Sequence, residues 1–222
     1  MKKHIIIVAG GTGTRMKNIV PKQFIPLLGK PVLMHTIEKF ITSIPEINII
    51  VVLARELNDE WQSLCAKHNF TIPHQLIAGG ETRFHSVKNG LSLITSDGVI
   101  GIHDAARPLV SKQTIINAFE TAAEKGNASP AVAMNESMRE ITGDTNKAVD
   151  RSKYMIIQTP QCFHSGLLKK AFEQDYTPLF TDDASVVEMT GEKINLIEGN
   201  YENIKITTPQ DLIIAEALLK SN

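Results

Sequence analysis

The start of this 222-residue chain limits its fold more than any other stretch: Ile5-Ile6-Ile7-Val8, four β-branched residues without a polar break, run into Ala9-Gly10-Gly11-Thr12-Gly13-Thr14-Arg15-Met16. An unalternated run of this kind reads as a strand buried on both faces, the habit of parallel sheets covered by helices. Residues 47–53 form a second largely β-branched run, interrupted only by Asn48, and Leu33, Ile37, Phe40 and Ile41 recur between the two at helical spacing. Strand, loop, helix, strand is the order of a right-handed crossover. The spacing predicts further helices over 58–68, 86–93 and 114–123, extended segments over 99–102 and 131–134, and a closing amphipathic helix over 212–219.

The alternation predicts an α/β chain built on a doubly wound, mostly parallel, Rossmann-like sheet. With 42% hydrophobic residues, the chain has material for one substantial core, so residues 1–222 are expected to form one domain. Residues 135–157 break the pattern. They are polar, carry Gly143-Asp144 as a turn signal, and fit either a hairpin that leaves the globule or an ordinary surface excursion.

Charge narrows the range of partners. Lys plus Arg number 23 against 24 for Asp plus Glu, so no net field favours nucleic acid or an acidic membrane. The apolar run after Met1-Lys2-Lys3-His4 is too short for a signal-peptide core or a membrane span. Two cysteines, Cys65 and Cys162, make neither a metal-ligand pattern nor a disulfide framework, and a reducing, cytoplasmic compartment is expected.

Small residues after a buried strand let backbone N–H groups approach phosphate, and open α/β sheets bind ligands beyond the carboxyl ends of their strands. A nucleotide site is therefore expected at Ala9, Gly10, Gly11, Thr12 and Gly13. The dinucleotide fingerprint fails because Met16 holds the place of its third glycine, and the Walker Gly-Lys-Ser/Thr is absent. What remains is a glycine loop followed closely by Arg15 and Lys22, two cations suited to a triphosphate or, more blandly, to solvent.

His103-Asp104-Ala105-Ala106-Arg107-Pro108 closes another predicted buried strand. Asp104 there is a candidate magnesium ligand, since magnesium is content with one carboxylate plus nucleotide oxygens, or else a cap for the next segment. Thr181-Asp182-Asp183-Ala184-Ser185 reads first as a helix N-cap with acids set against the dipole. In Ile204-Lys205-Ile206 the alternation turns the lysine away from its apolar neighbours, toward a cleft or toward solvent, and alone favours solvent. No histidine has zinc spacing, and there is no Gly-x-Ser-x-Gly elbow.

Together these segments resemble the 2-C-methyl-D-erythritol 4-phosphate cytidylyltransferases across nearly the whole chain and in the family's order. The matching stretches include residues 11–16, 21–23, 29–31, Gly79-Gly80, Ser86-Val87, Asn89-Gly90, 103–108, 149–151, 158–161, 181–185 and 203–207. The resemblance implies transfer of CMP from CTP to a polyol phosphate with release of pyrophosphate, aided by magnesium or another divalent cation. It implies that Arg15 and Lys22 hold the triphosphate while Lys205 reaches the α-phosphate. By the same resemblance Ala9 to Gly11, Gly80 and Ser86 read the cytosine edge, Asp104 serves magnesium or substrate, and Thr181 belongs to the substrate site. Arg107, Ser137, Arg151 and Thr159 would hold the polyol phosphate. The 135–157 excursion would be an arm that crosses to a second subunit, making a homodimer with shared sites.

Gly10 and the two segments around Arg15 and Lys22 are also similar to ribitol 5-phosphate cytidylyltransferases. The second alanine of the 103–108 segment and the 181–185 run are closer to the methylerythritol enzymes. Asn135-Glu136-Ser137 departs from the family's usual Asp-Thr run there, with Ser137 keeping a hydroxyl.

Overall fold

The computed structural model describes residues 1–9 and 20–221. In chain order the strands and helices begin with β1 (Lys2–Val8), β2 (Pro26–Leu27), β3 (Lys30–Pro31), α1 (Val32–Ser43), β4 (Asn48–Leu53), α2 (Asn58–Lys67) and β5 (Gln75–Ala78). Then come α3 (Arg83–Ser92), β6 (Gly98–Asp104), α4 (Lys112–Lys125), β7 (Asn127–Ala133), β8 (Arg139–Thr142) and β9 (Thr145–Ala148). The chain continues through β10 (Met155–Ile157), β11 (Gln161–His164), α5 (Ser165–Ala171), α6 (Asp183–Glu188), β12 (Leu196–Glu198) and α7 (Pro209–Ser221).

The main sheet runs β10-β7-β11-β6-β1-β4-β5, with β12 also on β7. The block β6-β1-β4-β5 is parallel throughout, whereas β11 runs antiparallel to both β6 and β7. The chain thus winds outward from β1 to β4 and β5 and returns to place β6 on the other side of β1. That reversal opens a crevice at the carboxyl ends of β1 and β6, where Val8 pairs with Asp104.

The unalternated runs explain the layering. Ile5 and Ile7 face one cluster with Leu33, Phe40, Trp61 and Phe119 from α1, α2 and α4, while Ile6 faces another with Phe84, Val87 and Leu168 from α3 and α5. A strand with buried side chains on both faces has little place for a polar residue that lacks partners, hence the sequence signature. A third cluster joins Leu27 of β2, Ala106, Ile206 and Ala215 of α7. No helix among the described residues is long and apolar enough to cross a membrane.

Within the 135–157 excursion, β8 and β9 form a separate two-stranded hairpin whose residues are all exposed. Gly143 takes φ +57 at the first turn position, where a two-residue hairpin of the II′ kind favours glycine. The projecting part is shorter than predicted, because Met155–Ile157 returns as β10 and pairs with β7. Three consecutive apolar residues are enough to join an available sheet edge, though too few to show a period.

Candidate active site

A cleft of about 320 Å3 opens at the crevice between β1 and β6. Val8 and Ala9 contribute one wall, Gly80, Arg83 and Ser86 a second, and Asp104, Ala105 and Ala106 the floor. Lys22 and Lys205 both line it. Two lysines nearly the whole chain apart in sequence therefore border one space.

Each is held by its neighbours. Lys22 opens a short 3-10 turn, Lys22–Phe24, in which Phe24 N–H donates to the Pro21 carbonyl at 2.8 Å. Buried Phe24 stacks on Trp61 with ring centroids 5.8 Å apart, and the Gln23 amide donates to the Ala9 carbonyl at 2.9 Å. The lysine turn is thus tied both to the core and to the end of β1. Lys205 is fixed by Ile206, which is fully buried and donates its N–H to the Ala106 carbonyl at 2.8 Å. With Ile206 buried on one side, Lys205 turns to the cleft while staying partly exposed, and its Nζ lies 2.9 Å from Asp104 Oδ2. The Ile-Lys-Ile alternation was informative although the segment is no strand.

Asp104 is the electrostatic centre. Arg107 Nε lies 3.3 Å from Oδ2 and Arg83 Nε 3.6 Å from Oδ1, and the side chain is only 12% exposed. Burial by itself would raise the pKa of this carboxyl, but the charges of Arg83, Lys205 and Arg107 outweigh it and hold it well below the usual carboxylate range. Arg83 also reaches Asp183 Oδ2 at 2.6 Å. Burial disfavours its charge, yet Asp183 and Asp104 more than offset that and raise its pKa. Burial also pushes the Asp183 carboxyl up, and the Arg83 guanidinium limits the rise.

His103 is fully buried under this floor. Its Nε2 donates to the Arg107 carbonyl at 3.1 Å, leaving Nδ1 to accept from the Thr159 hydroxyl at 2.9 Å, while Thr159 Oγ1 accepts from Asp104 N–H at 3.2 Å. One tautomer of a neutral imidazole satisfies the whole chain of bonds. Burial lowers the pKa to about 4 from the ordinary 6.5, against the opposing pull of the Arg107 carbonyl and Asp104. The unfolded imidazole takes up a proton as pH falls through 6.5, the folded one only near 4, so stability falls across that window. The loss attributable to His103 is ~3 kcal/mol at most. Urea unfolding at steps from pH 7 to 4 should show this slope in the wild type and a flatter one in His103→Gln; equal slopes would remove His103 as the source.

Several expected site residues stand elsewhere. Thr159 is buried with its hydroxyl engaged as above, and it supports the floor without lining the cleft. Arg107 likewise is not a lining residue: its guanidinium joins Asp104 to the Asn203 carbonyl at 2.7 Å. Ser137 and Arg151 border a separate depression at the base of the hairpin, where Arg151 donates to the Asn135 carbonyl. Thr181 borders another, beside α6, whose N-terminus is capped by Asp182 and Ser185 as the sequence pattern predicts. Ser86, at the cleft wall, accepts from Gly80 N–H at 3.1 Å and donates to the Thr82 carbonyl at 2.9 Å. A Cβ at Gly80 would collide with His85, so only glycine fits this wall. The expectations on Gly10, Gly11, Thr12, Gly13 and Arg15 lie outside the described residues.

Arg83 and Asp183 were not singled out by their own types. The available signal was Arg83 in the first turn of α3, after the N-cap Thr82, where the helix dipole disfavours a cation unless acids from elsewhere hold it.

Comparison with known proteins points to one family. The family model for 2-C-methyl-D-erythritol 4-phosphate cytidylyltransferase matches residues 3–221. A protein of that name from Bacteroides thetaiotaomicron is 51% identical over 219 residues, covering 99% of this chain and all of its own. Its counterpart from Clostridium acetobutylicum is 42% identical, covering 98% of this chain and 97% of its own. The solved structure of the Francisella tularensis enzyme of that name superposes with a TM-score of 0.79 at 33% identity, over 98% of this chain and 99% of that one. The 4-diphosphocytidyl-2C-methyl-D-erythritol synthase of Anaerococcus prevotii gives a TM-score of 0.83 at 26% identity over 99% and 98%. With Lys22 and Lys205 on one strand-end cleft and full-length similarity throughout, the chain belongs to the 2-C-methyl-D-erythritol 4-phosphate cytidylyltransferase family.

Proposed function

We propose that this protein transfers the cytidylyl group of CTP to 2-C-methyl-D-erythritol 4-phosphate, giving 4-diphosphocytidyl-2-C-methyl-D-erythritol and pyrophosphate for non-mevalonate isoprenoid precursor synthesis. The observation that carries the reading is that Lys22 and Lys205 line one cleft at the switch point of the sheet. A phosphate monoester has a second pKa near ~6, so close to neutral pH the attacking oxygen is already largely anionic and needs no general base. That oxygen forms a bond to the α-phosphorus, the bond from the α-phosphorus to the bridging oxygen breaks, and pyrophosphate departs with the electron pair. The chain's task is to bring two polyanions into line and to receive negative charge, work for cations that are in place before substrate arrives. Lys205 serves the α-phosphate, and Lys22, with Arg15, the departing pyrophosphate. Asp104 keeps Lys205 aimed, and Ala9 and Gly80, which line the cleft, shape the wall against which the nucleotide lies.

Magnesium is implied by the family, but Asp104 does not fit as a standing ligand for it. Its two oxygens already serve three cations, and the described residues hold no cluster of three or more His, Cys, Asp or Glu that could grip an ion. A divalent cation suits the triphosphate oxygens better than this carboxylate, and it would add charge stabilisation there when bound.

Arg151 and Ser137 sit on the exposed arm and not in their own chain's cleft, which supports a homodimer in which each arm completes its neighbour's acceptor site. Free thiols at Cys65 and Cys162 suit a reducing cytoplasm. Hybrids of Lys22→Ala with Arg151→Ala subunits should regain about one working site per dimer; verified heterodimers as inactive as either parent would refute the sharing. For the reaction itself, pyrophosphate release should follow CTP together with 2-C-methyl-D-erythritol 4-phosphate. Release with ribitol 5-phosphate in its place would reassign the acceptor, and release with neither would end the proposal.

A further inference from the structure

Arg83 is a cleft cation that the reaction as assigned above does not use. It leaves the first turn of α3, directly after the Gly80 wall, and spans two carboxylates from different parts of the fold: Asp183 of α6 at 2.6 Å and Asp104 at the end of β6 at 3.6 Å. The two oxygens of Asp104 are thereby divided, Oδ1 facing Arg83, and Oδ2 facing Lys205 at 2.9 Å and Arg107 at 3.3 Å. Asp183 is buried in the first turn of α6, its second oxygen has no hydrogen-bond partner among the described residues, and Arg83 is the cation that pairs with it.

We infer that Arg83 is a positioning residue for the transfer: by engaging one edge of Asp104 it presents the other edge to Lys205 and sets where that ammonium meets the α-phosphate. Without Arg83 the carboxylate is free to turn both oxygens onto Lys205, drawing the ammonium down to the floor and away from phosphorus. The planar guanidinium suits this bridging, since it carries donors in several fixed directions, whereas an ammonium is a single point of charge. The inference rests on the cytidylyltransferase reading and refines it.

A purely structural role, that of neutralising buried Asp183, makes a different prediction, and a double substitution separates the two. Arg83→Met alone strands the Asp183 charge and should lower the Tm. Arg83→Met combined with Asp183→Asn removes both charges together, so the Tm should return to near that of the wild type. If Arg83 positions Lys205 through Asp104, kcat in the double variant stays down by about tenfold or more with KM for CTP changed far less, as expected for a misplaced catalytic group. A kcat within about twofold of wild type would overturn the inference and leave Arg83 as a counter-ion only.

Should the double variant fail to fold, Arg83→Lys decides: it retains the shorter contact to Asp183 and gives up the bridge, so a wild-type kcat overturns the inference and a fall in kcat at unchanged Tm upholds it. The wild-type assay run alongside keeps the two claims apart. Absence of transfer in the wild type would refute the enzymatic reading itself, whereas transfer there with kcat retained in the variants would refute only the role of Arg83.

Discussion

Lys205→Ala and Lys22→Ala each lower kcat for cytidylyl transfer by about 100-fold or more, a loss of ~3 kcal/mol in transition-state stabilisation, on the scale of removing one preorganised donor from an oxyanion site. The size follows from the distribution of charge. The cleft is lined by Lys22, Arg83 and Lys205 against Glu81 and Asp104, a surplus of one positive charge among the described lining residues. Removing either lysine erases that surplus just where the five-coordinate phosphorus and departing pyrophosphate concentrate negative charge. The apolar anchors Phe24 and Ile206 are buried independently of the two ammonium groups, and Asp104 keeps Arg83 and Arg107 when Lys205 is cut back, so the fold is expected to persist. Steady-state kinetics alongside thermal unfolding tests this: a large fall in kcat at a Tm close to wild type is expected, and a change of less than about threefold for both variants would deny them their roles.

Asp104→Asn is the second large effect, and it acts mainly on stability. The replacement keeps the shape but leaves Arg83, Arg107 and Lys205 crowded around a neutral group. Removing one partner of a buried ion pair costs ~3–5 kcal/mol, and here three partners lose the same counter-charge. Salt should narrow the difference, because screened cations repel less. The wild type has its own acid signature: with the folded pKa of Asp104 depressed below the ordinary 3.8, its contribution is complete above that value and lost only as pH falls beneath it. This window lies below the one set by His103, so the two residues are separable in one titration. Urea unfolding at low and high salt checks the variant, and a stability within about 1 kcal/mol of wild type would mean that Asp104 is not the hub described.

The parallel centre of the fold was legible because β1, β4 and β6 are buried on both faces and α1 and α4 carry a clear helical period. Short strands were not. Gln75–Ala78 opens with a polar residue and spans only four positions, and Met155–Ile157 merged with the polar stretch before it, so β5 was missed and the arm drawn too long. Sequence period tells which side chains share a face, not what that face meets. This is why Lys205 could be turned from its apolar neighbours on sequence alone yet not assigned to the cleft. Arg83 is the stronger case, since its closest acid lies a hundred residues further along the chain and is brought to it only by the packing of α3 and α6. Arg107 and Thr159 show the converse. Their residue types and motif place them in the substrate site, but within this chain their polar atoms are spent on Asn203, Asp104 and His103.

A structure of the protein with bound CTP bears most directly on the central claim. The ammonium groups of Lys22 and Lys205 should both lie within about 3.2 Å of triphosphate oxygens, with Lys205 on the α-phosphate and the base against Gly80. A triphosphate seated away from the crevice between β1 and β6, or reached by only one of the two lysines, would contradict the account.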